Sequence, residues 1–133
     1  MTDFISAKRV LYVDDENINL ELFKATFKRD FIVETASSAK EGLKMVKQEL
    51  FDIIVTDLKM PEVNGMEFIE QIKKVDPKKI CILLTAYTEP EVMIKAMNEG
   101  KVYKYMLKPW KKSDLKMVID EALSDKTRPV GFY

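Results

Sequence analysis

Histidine is absent from the 133 residues, and that absence removes several chemistries at once. No Ser-His-Asp triad, Cys-His pair or His-ligated zinc site can be built, and the chain cannot carry a phosphoryl group on an imidazole. Cysteine occurs once, so there is no internal disulfide; Cys81 lies in an apolar, strand-like run and reads as a core thiol. Net charge is lacking too, with 22 basic residues against 22 acidic ones, so no bulk field draws the chain to nucleic acid or to a membrane surface. Apolar runs stop at five residues, in Ile80–Leu84, far short of the ~20 that cross a bilayer. The opening Met1-Thr2-Asp3-Phe4 has no charged-then-apolar block of a signal peptide, so a cytoplasmic location is expected. Any nucleophile must be a carboxylate, a hydroxyl, an amine or Cys81.

What is present is a globular composition, 47% hydrophobic, in a chain long enough for one core. Short apolar runs alternate with helical patterns. Strands are expected at about Arg9–Asp14, Phe31–Thr35, Asp52–Thr56, Ile80–Leu84 and Val102–Met106. Helices are expected between them. The first begins near Asn17, capped by Asp15 or Asn17, and buries Leu20, Phe23, Ala25 and Phe27. The second is capped by Ser37 or Ser38, with Glu41 at the capping-box position and Leu43, Val46 and Leu50 on its buried face. Pro61 and Asn64-Gly65 signal a turn before a short helix from about Met66 to Val75. Glu89-Pro90-Glu91 opens the fourth helix and Asn98-Glu99-Gly100 closes it. The last runs from Lys112 or Ser113 to Leu123, with Ser113 as cap. Five strands alternating with five helices predict a parallel sheet covered on both faces. Residues 1–125 are expected to form one domain and 126–133 a tail or linker stump.

Each of four strands ends on a polar group: Asp14-Asp15, Asp57, Thr85 and Lys108. In a parallel sheet with right-handed crossovers those ends share one edge. Taken singly, each residue has a structural explanation, such as Asp15 capping a helix. Their joint occurrence points to one pocket. Like charges about 4 Å apart cost roughly 4 kcal/mol in a surface-like dielectric. A hard divalent cation offsets that cost, and oxygen-only ligands suit Mg²⁺, with Mn²⁺ as an alternative occupant. In this pocket Asp57 is the expected nucleophile for a phosphoryl group. Mg²⁺ between Asp15, Asp57 and a phosphoryl oxygen neutralises charge. Lys108 supplies a point charge, Thr85 a hydroxyl, and small Ala86 an accessible backbone N–H.

The segments Val10-Leu11-Tyr12-Val13-Asp14-Asp15-Glu16, Asp57-Leu58-Lys59-Met60-Pro61-Glu62-Val63-Asn64-Gly65-Met66, Leu83-Leu84-Thr85-Ala86 and Tyr105-Met106-Leu107-Lys108-Pro109 resemble the receiver domain of two-component response regulators. The resemblance covers about residues 8–124. It implies a flavodoxin-like (βα)5 fold with strand order 2-1-3-4-5 and Asp57 as phosphoacceptor, fed by a histidine kinase or a histidine phosphotransfer protein. It implies Asp14, Asp15, Asp57 and the Lys59 backbone carbonyl as metal ligands. Thr85 and Lys108 become the switch hydroxyl and the phosphate-binding lysine, and Tyr105 the aromatic that rotates inward. Lys108-Pro109 becomes a cis peptide bond.

By the same resemblance, the surface of helix four, strand five and helix five would change on phosphorylation and contact an output domain, a downstream protein or a second copy. Tyr103, Tyr105 and Trp110 are expected near it. Trp110 after Lys108-Pro109 resembles receivers joined to phosphodiesterase or cyclase outputs. Gly42 stands where the family often has alanine. Lys59 and Tyr87 flank the phosphate path, and their size is expected to hinder water and prolong the acyl phosphate.

Other readings are weaker. An aspartate-nucleophile phosphatase would carry a second acid at position 59, where the chain has lysine. A flavin module needs a phosphate-cradling loop after strand one, where Asp14-Asp15-Glu16 would repel phosphate. A stand-alone phosphorelay intermediate remains an alternative to a receiver attached to an output domain. Neither nucleic-acid binding by this domain nor enzymatic turnover beyond its own phosphorylation and dephosphorylation is expected.

Overall fold

A computed structural model describes residues 7–86 and 90–124. Five strands alternate with five helices: β1 (Arg9–Val13), α1 (Asn17–Phe27), β2 (Ile32–Ala36), α2 (Ala39–Gln48), β3 (Ile53–Asp57), α3 (Gly65–Val75), β4 (Ile80–Thr85), α4 (Pro90–Asn98), β5 (Lys104–Leu107) and α5 (Lys112–Ser124). All pairings are parallel and the strand order is β2-β1-β3-β4-β5. The parallel sheet covered on both faces is the one that the alternating pattern predicts, and its strand order is the flavodoxin-like one that the resemblance implies.

Strand residues alternate between two faces, and the core divides accordingly. Leu11, Val13, Ile54, Cys81 and Leu83 pack with Phe68, Ile69 and Ile72 of α3 and with α2 and α4. Val10, Tyr12, Val55, Ile82 and Leu84 pack on the other side with Phe23 and Phe27 of α1 and Leu115 and Ile119 of α5. The central strands β1, β3 and β4 are buried on both faces, which is why they read as continuous apolar runs. Burial pushes the Cys81 thiol up to about 12, consistent with a core thiol.

Several local expectations need correction. The N-cap of α1 is Glu16, without a side-chain cap bond, so neither Asp15 nor Asn17 caps it. Asp14 takes over part of that role, since its Oδ1 accepts the Glu16 N–H at 3.0 Å. Ala25 is exposed, because the buried stripe of α1 runs through Leu20, Phe23 and Phe27 only. Leu50 lies beyond the end of α2 and is 83% exposed. Ser38 does cap α2, accepting the Glu41 N–H, but Glu41 reaches back to the Ser37 N–H instead of the Ser38 N–H.

Asn64 is not a turn residue but the N-cap of α3, in a full capping box with Glu67. The left-handed position of that loop falls on Glu62, at φ 68°. Ser113 lies inside the first turn of α5 and is not its cap. Gly100, at φ 74°, follows α4 as expected. Glu89 lies outside the described residues.

Candidate functional site

The site sits where strand order reverses, at the C-terminal ends of β1 and β3. Val13 pairs with Thr56, so Asp14 and Asp57 follow at matching positions on adjacent parallel strands. The ladder continues one step beyond the strands and fixes the loop origins. Asp14 N–H donates to Ala36 O, Leu58 N–H to Leu84 O, and Lys108 N–H to Thr85 O. The backbone thereby delivers each functional side chain from a rigid edge.

One carboxylate oxygen from each of Asp14, Asp15 and Asp57 can be chosen so that all lie within 4.8 Å of one another. Asp14 is fully buried, Asp57 is 7% exposed and Asp15 faces solvent. Lys108 Nζ stands 3.1 Å from Asp14 Oδ2 and 3.4 Å from Asp57 Oδ1. Asp57 Oδ1 also accepts the Leu58 N–H at 3.0 Å. Burial pushes the Asp57 carboxyl above its ordinary range, Asp14 adds to the rise, and the Lys108 ammonium opposes it. Burial works against the Lys108 ammonium, but the hydrogen bond to Asp14 and the charges of Asp14 and Asp57 outweigh it, so its pKa is raised. Three carboxylates against one ammonium leave an excess of negative charge. An oxygen-only donor set this close fits a hard divalent cation.

Thr85 is fully buried at the end of β4. Ala86 is exposed and, with Lys108, Tyr12, Asn19 and Trp110, lines a groove of about 610 Å³ beside α1. The Lys108-Pro109 bond is cis. Lys59 is exposed in the loop after β3. Tyr105 is half-buried against the cluster that includes α3 and α4. Tyr87 lies outside the described residues.

Trp110 and Tyr103 pack with the cluster that includes α5, so they lie at the α5 part of the α4-β5-α5 surface and not against α4. Trp110 meets Phe27 and Phe23 of α1 at ring-centroid distances of 5.7 and 6.0 Å.

Two contributors escaped the sequence reading. Tyr12 Oη donates to Asp14 Oδ2 at 2.6 Å, and Asn19 Nδ2 donates to the same oxygen at 3.1 Å. Strand alternation carries a signal for the first, since residues i and i+2 share a face. Nothing in the sequence pattern marks Asn19.

Comparison with known proteins agrees with this geometry. The receiver domain of response regulators, as a family, matches residues 10–120. The hydrogenase transcriptional regulatory protein HoxA of Cupriavidus necator is 35% identical over 101 residues, covering 76% of this chain and 21% of that protein. A response regulator receiver domain protein from Clostridium thermocellum is 34% identical at a TM-score of 0.84, covering 90% of this chain and 97% of that one. The response regulator TrrA of Thermotoga maritima, solved in complex with Mg²⁺-BeF, is 29% identical at a TM-score of 0.77, covering 86% of this chain and 97% of that one. The chain spans about a fifth to a quarter of the length of the curated relatives it matches. Among the described residues no helix is long and apolar enough to cross a membrane. The family match over residues 10–120, with strand order and acidic edge in agreement, makes this chain a member of the response regulator receiver domain family.

Proposed function

We propose that Asp57 is the phosphoacceptor of a signalling switch, charged by a partner histidine kinase or histidine phosphotransfer protein. The observation that carries this reading is the convergence of Asp14, Asp15 and Asp57 with Lys108 Nζ between two of them. The Asp57 carboxylate attacks phosphorus, the donor's bond to phosphorus breaks, and the donor leaves with that electron pair. Asp14, Asp15, Asp57 and the Lys59 backbone carbonyl would hold Mg²⁺, which supplies positive charge against the phosphoryl oxygens. TrrA, solved with Mg²⁺-BeF, supports that assignment by similarity.

Lys108 gives up its carboxylate contacts to follow the phosphoryl group. Thr85, at the end of the neighbouring strand, supplies a hydroxyl, and Ala86 an N–H. Movement of Thr85 and Lys108 repacks Tyr105 and shifts the α4-β5-α5 surface between two populations. That surface controls an attached output domain, a downstream protein or a second copy of the chain. Residues 126–133 are read as the tail or linker beyond the domain, and the cytoplasm as its location.

Incubation with acetyl phosphate and Mg²⁺ followed by intact mass tests the reading. A single phosphoryl adduct on wild type and none on Asp57→Ala is expected. An adduct on both, or on neither, contradicts it.

A further inference from the structure

Tyr12 stands two residues before Asp14 in β1, and its hydroxyl makes the shortest of the contacts to Asp14 described above, at 2.6 Å. Asp14 is fully buried, and its Oδ2 takes three donors: Tyr12 Oη, Asn19 Nδ2 and Lys108 Nζ. Oδ1 takes the Glu16 N–H. Of the three donors to Oδ2, Lys108 is the one that also reaches Asp57, 3.4 Å from its Oδ1, whereas Asn19 Nδ2 has Glu16 Oε1 as its second partner at 3.3 Å. Once Asp57 carries a phosphoryl group, that ammonium is drawn away. A buried carboxylate that loses a donor without replacement is costly.

Tyr12 cannot follow Lys108. Its ring is 1% exposed and stacked on Phe23, with centroids 4.2 Å apart and planes 14° apart. Phe23 is itself wedged by Phe27 and Trp110. The geometry points to Tyr12 as a positioning residue: its hydroxyl stays on Asp14 in both states, holds that carboxylate toward the cation, and so releases Lys108 for the phosphoryl group. This rests on the phosphoacceptor reading of Asp57. Ring and hydroxyl have separate parts. The stack on Phe23 provides packing, and only the oxygen acts on Asp14.

Tyr12→Phe removes the oxygen and keeps the stack. Mg²⁺ affinity is measured by calorimetry on wild type and variant, phosphoryl incorporation from acetyl phosphate by intact mass, and folding by near-UV circular dichroism. Folded Tyr12→Phe is expected to bind Mg²⁺ at least threefold more weakly and to label more slowly. Tyr12→Met, which fills the space without a donor, is expected to do the same, and serves if the first variant does not fold. A merely structural hydroxyl would lower the melting temperature and leave the Mg²⁺ affinity of the folded protein unchanged. In wild type, the Tyr12 hydroxyl proton observed by NMR is expected to stay protected from exchange in Mg²⁺ with excess acetyl phosphate. Unchanged Mg²⁺ affinity in the variants, or rapid exchange of that proton once the chain is labelled, overturns the proposal. Wild type that labels beside a Tyr12→Phe that labels equally well sinks this inference alone. Wild type that does not label sinks the phosphoacceptor reading and the inference with it.

Discussion

Gly65, the first residue of α3, is pressed against Asp57: a Cβ there would lie 2.3 Å from the Asp57 carbonyl oxygen. The Gly65 N–H also donates to Leu58 O, closing the loop that follows the strand. The helix start and the Asp57 backbone therefore have to move together. Gly65→Ala is expected to cost about 1–3 kcal/mol, the range of overpacked sites, and to slow phosphoryl incorporation because β3 must shift. Chemical denaturation and intact mass check the two parts. A variant as stable and as quickly labelled as wild type would show that the close approach is dispensable.

Gly42 poses the opposite question, since it lies inside α2, where alanine gains ~1 kcal/mol of helix propensity over glycine. Its Cβ would meet Phe68 Cζ at 2.8 Å and Val13 Cγ2 at 3.0 Å, both fully buried neighbours. The ring of Phe68 has no room to swing aside in a packed core. Gly42→Ala is therefore expected not to stabilise the protein, and Gly42→Ala with Phe68→Leu to be less destabilised than the sum of the single changes. Urea unfolding of the four proteins reads the coupling.

The direction of the Asp57 shift gives a pH dependence. Its folded-state pKa is raised, chiefly by burial, so its ionisation opposes folding. The contribution is favourable below the ordinary carboxylate range and is lost as pH rises through the raised value. In EDTA at neutral pH, Asp57→Asn should melt higher than wild type. Mg²⁺ should reverse the order, because a ligand at 100 times its Kd stabilises by ~2.7 kcal/mol. That increment should shrink on acidification, as protons compete for Asp57. Melting curves at several pH values with and without Mg²⁺ test both signs.

The lifetime of the phosphorylated state depends on access of water. Lys59 is exposed two residues after Asp57, and its length together with the bulk of Tyr87 is expected to hinder attack. Wild-type acyl phosphate should persist well beyond seconds after the donor is removed. Lys59→Ala and Tyr87→Ala should each shorten it. Loss within seconds from wild type would contradict the expectation.

The architecture was legible because the period-2 and period-3.6 signals were strong and the central strands are buried on both faces. Asp14, Asp15, Asp57 and Lys108 were legible because parallel strands deliver their ends to one edge. What escaped depends on contacts across the chain. Asn64 reads equally well as turn or cap until Glu67 is seen to reach back to it. Trp110 is expected near the α4-β5-α5 surface, but its contacts to Phe23 and Phe27 of α1 have no mark in the sequence. Tyr12 was hidden inside an apolar run, its hydroxyl disguised by the ring that makes it a core residue. The Leu50 error arose from extending α2 by one helical step past its end at Gln48.

The most direct test of the central claim is peptide mapping after exposure to acetyl phosphate, with Mg²⁺ and with EDTA in parallel. The account predicts a hydroxylamine-labile phosphoryl group on the peptide containing Asp57 in Mg²⁺, and almost none in EDTA. A label on another residue, or equal labelling without a divalent cation, would contradict it.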